Sequence, residues 1–122
     1  MADLEVLDAL PTKQIWDGVV ERVVEGERMG LAIVELEPGA VVPEHRHDNE
    51  QLGFVISGSV TFTLGGETKQ LGPGGTWRIL GGTPHEVVAG PEGAVVADIF
   101  APPRADWSEL PAPPAREPLW PV

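Results

Sequence analysis

"PEHRHDNEQLGFVISG", residues 43–58, places two histidines two positions apart just after a proline and closes on a glycine. Residues two apart on an extended strand project from one face, so His45 and His47 stand together while Arg46 points away. Imidazole is the commonest protein metal ligand, and two of them on one wall make half a site. The pair alone is a weak signal, because HxH runs arise by chance and exposed histidines are common. The chain's third histidine strengthens it: His85 follows "GGTP", again at the start of a strand.

Working outward, short runs rich in Val, Ile, Leu and Phe alternate with glycine-bearing turns. The pattern predicts strands at 19–25, 29–37, 41–47, 51–57, 59–64, 67–71, 76–80, 85–89 and 93–100. Nothing between 18 and 100 carries a helical period, so the fold is expected to be all-β, a sandwich or barrel. "TFTLGGETKQL" reads as a hairpin turning at Gly65-Gly66, where positive φ costs little. From 101 the texture changes: 7 of the 13 prolines fall in the last 22 residues, which cannot continue a sheet. An extended tail over 101–122 is expected, with one helical turn in "ADWSEL" and with Trp107 and Trp120 packed on the body or on a second subunit.

At 122 residues, with 42% apolar and 22% charged residues, the chain suits one globular domain, 1–122. Its 8 basic and 19 acidic residues leave a formal charge of −11, which argues against nucleic acid and anionic membranes as partners. There is no cysteine, so thiolate metal sites, thiol nucleophiles and disulfides are excluded. "MADLEVLDAL" lacks the basic start and apolar run of a secretion signal, and no apolar stretch approaches the roughly 20 residues of a membrane helix. A cytoplasmic location is the expectation. No GxGxxG, P-loop or GxSxG element is present, which disfavours phosphate cradling and serine hydrolysis.

"PGAVVPEHRHDNEQLGFVISG" resembles the first motif of the cupins, with Gly39, His45, His47, Gln51 and Gly58 at the family spacings, and "GGTWRILGGTPHEVVA" resembles the second, with Gly74, Gly82 and His85. Gly75, Leu80 and Ala89 depart from that second motif at turns and strand ends. The resemblance covers residues 30 to 100 and implies a double-stranded β-helix, or jelly-roll barrel. It also implies one divalent transition-metal ion (Mn, Fe, Ni, Co or Zn) held by His45, His47, Gln51 and His85. Gln51 stands where many cupins have Glu. A neutral amide in that position leaves the site charge at +2, which lowers metal affinity and strengthens the pull on an anionic or carbonyl ligand. Glu50, one residue out of phase, is expected to face the other way. Loss of the ion is expected as pH falls through the imidazole range near 6.5.

"GAVVADIFAPPR", residues 93–104, carries a single acid inside an apolar strand. A buried unpaired carboxylate costs several kcal/mol, so Asp98 is expected to be paired, for example with Arg78 or Arg104, or functional. Parity puts Val96, Asp98 and Phe100 on one face. "DIFAPPRADW" is similar to the end of a cupin family that converts cyclic 4,5-unsaturated uronates, the monomers released by pectin and alginate lyases, to linear keto forms. That resemblance implies an enzyme with Asp98, Phe100 and Arg104 in its pocket: Arg104 for the substrate carboxylate, Asp98 for a proton and Phe100 as wall. The alternatives are a metal-dependent dioxygenase of the same barrel and a non-catalytic small-molecule-binding cupin. A homodimer is expected, since small barrels must cover their sheet edges, with "LEVLDAL" and the tail as candidate cover.

Overall fold

The computed structural model describes residues 2–122. Eight strands make up the body: β1 (Lys13–Trp16), β2 (Val19–Glu25), β3 (Gly30–Leu36), β4 (Val41–His45), β5 (Glu50–Leu64), β6 (Glu67–Leu71), β7 (Thr76–Ile79) and β8 (His85–Ala101). All pairings are antiparallel. The long strands β5 and β8 pair along their whole length and bend midway, so each serves two sheets. One sheet runs β1-β2-β3, then the second half of β8, the first half of β5, and β7. The other runs β4, the first half of β8, the second half of β5, and β6. This is a jelly roll, and its all-β class matches the expectation.

Why the strands bend is visible in the register. Ser57 faces Val95 and Gly58 faces Ala94, but Val60 faces Ala89, so the ladder slips around Gly58 on one side and residues 90–93 on the other. Gly58 has φ +76° and a side chain there would drive into the Gly93 carbonyl. The sequence pattern read 51–57 and 59–64, and 85–89 and 93–100, as four strands. Each glycine corner is instead a bulge inside a continuous strand, because bulges bend a ladder without ending it. β1 was missed altogether, being four residues between a proline and a glycine turn.

Between the sheets lies a core that includes Val19, Leu36, Val55, Val60, Ile79 and Val96, each 6% exposed or less. The tail after 101 docks on the chain's own barrel. Gln14 N–H donates to the Pro111 carbonyl at 2.7 Å, edging β1. On the outer face of β2 and β3, the Glu35 carboxylate accepts from Arg22, Arg116 and the backbone N–H groups of Leu119 and Trp120. Trp120 closes a small cluster with Ile33, Val95, Ala97 and Leu7. The expected helical turn is the 3₁₀ turn Ala105–Trp107, and a second such turn spans Leu7–Ala9.

Candidate metal centre and ligand cavity

The jelly roll gathers two histidines from paired strands of one sheet and the third from the loop that follows β4. His45 ends β4 and His85 begins β8, and the two are direct Cα partners in the ladder. His47 follows on the same side, two residues along, while Arg46 is exposed as parity demands. Ring centroids are 4.3 Å apart for His45–His85, 4.9 Å for His47–His85 and 5.5 Å for His45–His47. One ligating nitrogen from each falls within 4.8 Å of the others.

Each ring is held by its own backbone. His45 Nδ1 lies 2.8 Å from the Pro43 carbonyl, His47 Nδ1 3.0 Å from that of Asn49, and His85 Nδ1 2.9 Å from that of Thr83. A carbonyl only accepts, so all three Nδ1 atoms carry the proton and every Nε2 presents a lone pair. Fixing the tautomer through the far nitrogen is how metal-binding imidazoles are oriented.

Facing them from the other sheet is Gln51, buried at 7% exposure, while Glu50 is exposed. Gln51 Nε2 donates to Asp98 Oδ1 at 2.9 Å, which turns Oε1 toward His47 Nε2 at 3.1 Å. Two acceptors are thus aimed at each other with no hydrogen between them when His47 is neutral. That arrangement is unfavourable by itself and favourable around a cation. The donor set, nitrogen and oxygen without sulfur, fits a divalent transition ion.

Burial reinforces the neutral state of the rings. It pushes the His85 imidazole down from 6.5 to about 4, with the neighbouring histidines and Arg104 adding to the effect. His47 is lowered too, first by burial and then by the Arg104 charge. Neutral rings are the ligating form, so the expected release of an ion at the ordinary imidazole pKa is shifted to lower pH.

Asp98 makes no ion pair among the described residues. Its Oδ1 accepts from Trp77 Nε1 at 2.7 Å as well as from Gln51. The expected partners lie elsewhere: Arg78 is exposed on β7, and Arg104 donates through Nε and Nη2 to Asp106 at 2.9 and 2.7 Å. Burial raises the Asp98 carboxyl from 3.8 to about 6, against the two hydrogen bonds and the Arg104 charge. Gly53 makes this possible, since a Cβ there would collide with both Asp98 Oδ1 and Trp77 Nε1.

Val96, Asp98 and Phe100 do share the inner face. The Phe100 ring meets Trp107 edge-on at 5.0 Å, and the Arg104 guanidinium sits 4.5 Å over Trp107 and 5.2 Å over Phe100. His45, Gln51, His85, Asp98, Phe100 and Arg104 all line one cavity of about 50 Å³ inside the barrel. That is room for a water molecule or two.

Sequence reasoning missed four members of this neighbourhood. Trp16, 5.2 Å from His45, sits on the overlooked β1. Phe62 stacks on Trp77 at 4.8 Å, Trp77 holds Asp98, and Asp106 holds Arg104. The inward parity of Trp77 within "TWRI" was the available signal.

The comparisons agree with the geometry. A family model described as "Cupin domain" matches residues 32–100. The pectin degradation protein KdgF of Dickeya dadantii is 29% identical over 102 residues, covering 82% of this chain and 93% of that protein. The structure of KdgF from a Halomonas species superposes with TM-score 0.79 at 25% identity, over 87% of this chain and 98% of that one. An RmlC-like cupin from Shewanella frigidimarina gives TM-score 0.81 at 20% identity, over 87% and 96%.

Proposed function

From the premise that the chain belongs to the cupin family, we propose that it is a metal-dependent enzyme converting cyclic 4,5-unsaturated uronates to their linear keto form. One divalent ion per chain would be held by His45, His47, Gln51 and His85. The observation that carries this reading is the clustering of three tautomer-locked imidazoles, two of which line one cavity together with an amide oriented by a buried acid and a buried guanidinium. The likeness to two KdgF proteins, one of them named for pectin degradation, supports the substrate class.

In the proposed reaction the hemiacetal O–H loses its proton, the bond from the anomeric carbon to the ring oxygen breaks, and the resulting enolate takes a proton at carbon. Atoms and charge balance without an oxidant, so no redox partner is required. The bound ion would supply Lewis-acid stabilisation of oxygen charge that develops as the ring opens. Arg104 holds the substrate carboxylate by a bidentate pair, taking it in place of the exposed Asp106. Asp98 moves the proton at Oδ2, the oxygen not tied to Gln51 and Trp77, and a carboxyl near 6 is well suited to both giving and taking one near neutrality. Phe100 keeps water from that wall.

The test is loss of the conjugated ultraviolet band of unsaturated galacturonate or guluronate on incubation with metal-loaded protein. A rate equal to the uncatalysed one refutes the reading.

A second copy of the chain is the proposed macromolecular partner. Leu31, Ile99 and Leu52 are cross-strand neighbours on the outer face of β3, β8 and β5, and with Phe54 each is more than 40% exposed. Of the two placements expected for the tail, on the body or on a second subunit, it takes the first, so this apolar row is the better dimer face.

A further inference from the structure

A second cavity, of about 220 Å³, lies beside the metal-centre cavity and has Phe100, Arg104 and Trp107 in its lining as well. The strands show how the two are related. On β2, Val19 lines the first, and Glu21 and Val23 line the second. On β3, Val34 and Leu36 line the first and Gly30 the second. On β8, Val96 and Asp98 line the first, and Phe100 lines both. The two cavities therefore follow one another along the inner faces of the same strands, with the Phe100–Arg104–Trp107 stack as a partition.

The second chamber has a feature that packing does not explain. Glu21 is 2% exposed in its wall, and its Oε2 has no hydrogen-bond partner among the described residues. Leaving a buried acceptor unmade costs about 1–3 kcal/mol, so a group kept in that state is a candidate for binding something absent here. Its direct ladder partner Lys13 also lines the chamber, with Nζ at 3.0 and 3.5 Å from the Ser108 and Trp107 carbonyls. Glu25 stands at the outer, exposed end of the same face. Phe100 and Trp107 add flat apolar walls. An acid, an ammonium and a guanidinium set among aromatic faces suit a hydroxylated ring bearing one anionic group.

Size points the same way. Ligand clefts run to about 300–1,000 Å³, and the metal-centre cavity falls far short of that alone. Joined to the second chamber it approaches the lower end. The Asp106 carboxylate that holds the buried Arg104 is itself 64% exposed, so a ligand carboxylate can take its place without leaving the guanidinium unpaired.

We propose that the two cavities are lobes of one sugar-acid pocket, which join when the ligand carboxylate displaces Asp106 from Arg104, and that Glu21 and Lys13 bind the ligand's hydroxyl-bearing edge. This rests on the substrate class proposed above and adds to it two binding residues outside the metal centre.

The experiment is calorimetric binding of D-galacturonate, which is saturated and so cannot react, to metal-loaded wild type, Glu21→Gln, Glu21→Leu and Lys13→Met, beside turnover of the unsaturated sugar. Glu21→Gln keeps an acceptor oxygen in the same shape, so its Kd stays within about threefold of wild type. Glu21→Leu loses that acceptor and binds about tenfold more weakly or worse, equivalent to one hydrogen bond of about 1.4 kcal/mol. Its Tm at pH 8 nevertheless rises, because burial has pushed the Glu21 carboxyl up to about 7 and the variant removes a carboxylate ionised in the folded state. Weaker binding in a more stable protein separates a ligand contact from a structural role. Lys13→Met weakens binding similarly. A Glu21→Leu protein that binds as wild type does, in a wild type that turns the unsaturated sugar over, overturns this inference and leaves the proposed reaction standing. A wild type that neither binds nor converts any sugar acid overturns both.

Discussion

Replacing Gln51 by Glu tests the reasoning about the metal centre most directly, because it restores the residue many cupins carry and should harm this one in the absence of metal. Gln51 Nε2 now donates to Asp98 Oδ1 across 2.9 Å. A glutamate would put a second buried carboxylate at that distance. Two unit charges so close repel by about 6 kcal/mol at an effective dielectric of 20, so the pair would keep one proton and share it. In wild type, Asp98 titrates near 6, above its ordinary 3.8, and its contribution to stability is lost over that interval as pH rises. His85, lowered to about 4 from 6.5, works oppositely over 4 to 6.5. Above pH 6.5 neither changes further in wild type, and Glu21 near 7 adds the same downward drift to both proteins. In Gln51→Glu the folded pair still holds a proton that the unfolded chain has released. Stability of the metal-free variant therefore falls by about 1.4 kcal/mol more per pH unit than wild type. Urea unfolding in chelator at pH 6.5 and 8.5 reads this as a difference of nearly 3 kcal/mol between the two proteins' pH responses. With a divalent ion added the order reverses, the extra charge tightening metal binding. Parallel pH responses would refute the claim that Asp98 is the reason for an amide at 51.

Four further outcomes are expected. Asp98→Asn keeps an oxygen for Gln51 and Trp77, so metal stoichiometry by elemental analysis is unchanged, while turnover of the unsaturated uronate falls by about 10²–10⁴. Arg104→Ala raises KM for the acidic sugar far more than it lowers kcat, in steady-state kinetics. Metal content after dialysis at graded pH shows release beginning below the ordinary imidazole value of 6.5, because burial lowers both His47 and His85. Leu52→Lys, placed in the middle of the apolar row on the outer sheet face, yields a monomer by sedimentation equilibrium with metal content intact.

Much of the barrel was legible because its rules are local. Period-two parity set His45 beside His47, Gln51 opposite in sense to Glu50, and Val96, Asp98 and Phe100 on one face, and the Gly65-Gly66 hairpin joins β5 to β6 as expected, with Leu64 opposite Glu67. What was not legible depends on three-dimensional neighbours. Whether Gly58 ends a strand or bends it turns on the Gly93 carbonyl opposite, 35 residues away in sequence. Likewise Arg104 was close enough in sequence to Asp98 to be its partner, yet Asp106 is nearer in space and less costly to pair, being exposed.

The metal centre divides along the same line. The resemblance to the cupin motifs brought His45, His47, Gln51 and His85 together on paper, but not the orientation of the amide, which a sequence cannot encode at one position. It is set by Asp98 on β8, which is itself held by Trp77 on β7 across a gap that Gly53 on β5 leaves open. Those four residues come from three adjacent strands and form one unit: enlarge Gly53 and the carboxylate must move, move the carboxylate and the amide is free to turn its N–H toward the histidines. Such an amide would offer a cation a hydrogen instead of a lone pair. Gly53→Ala, which touches no histidine, should therefore weaken metal binding measured by calorimetry, and unchanged affinity would mean the amide is oriented by something other than Asp98.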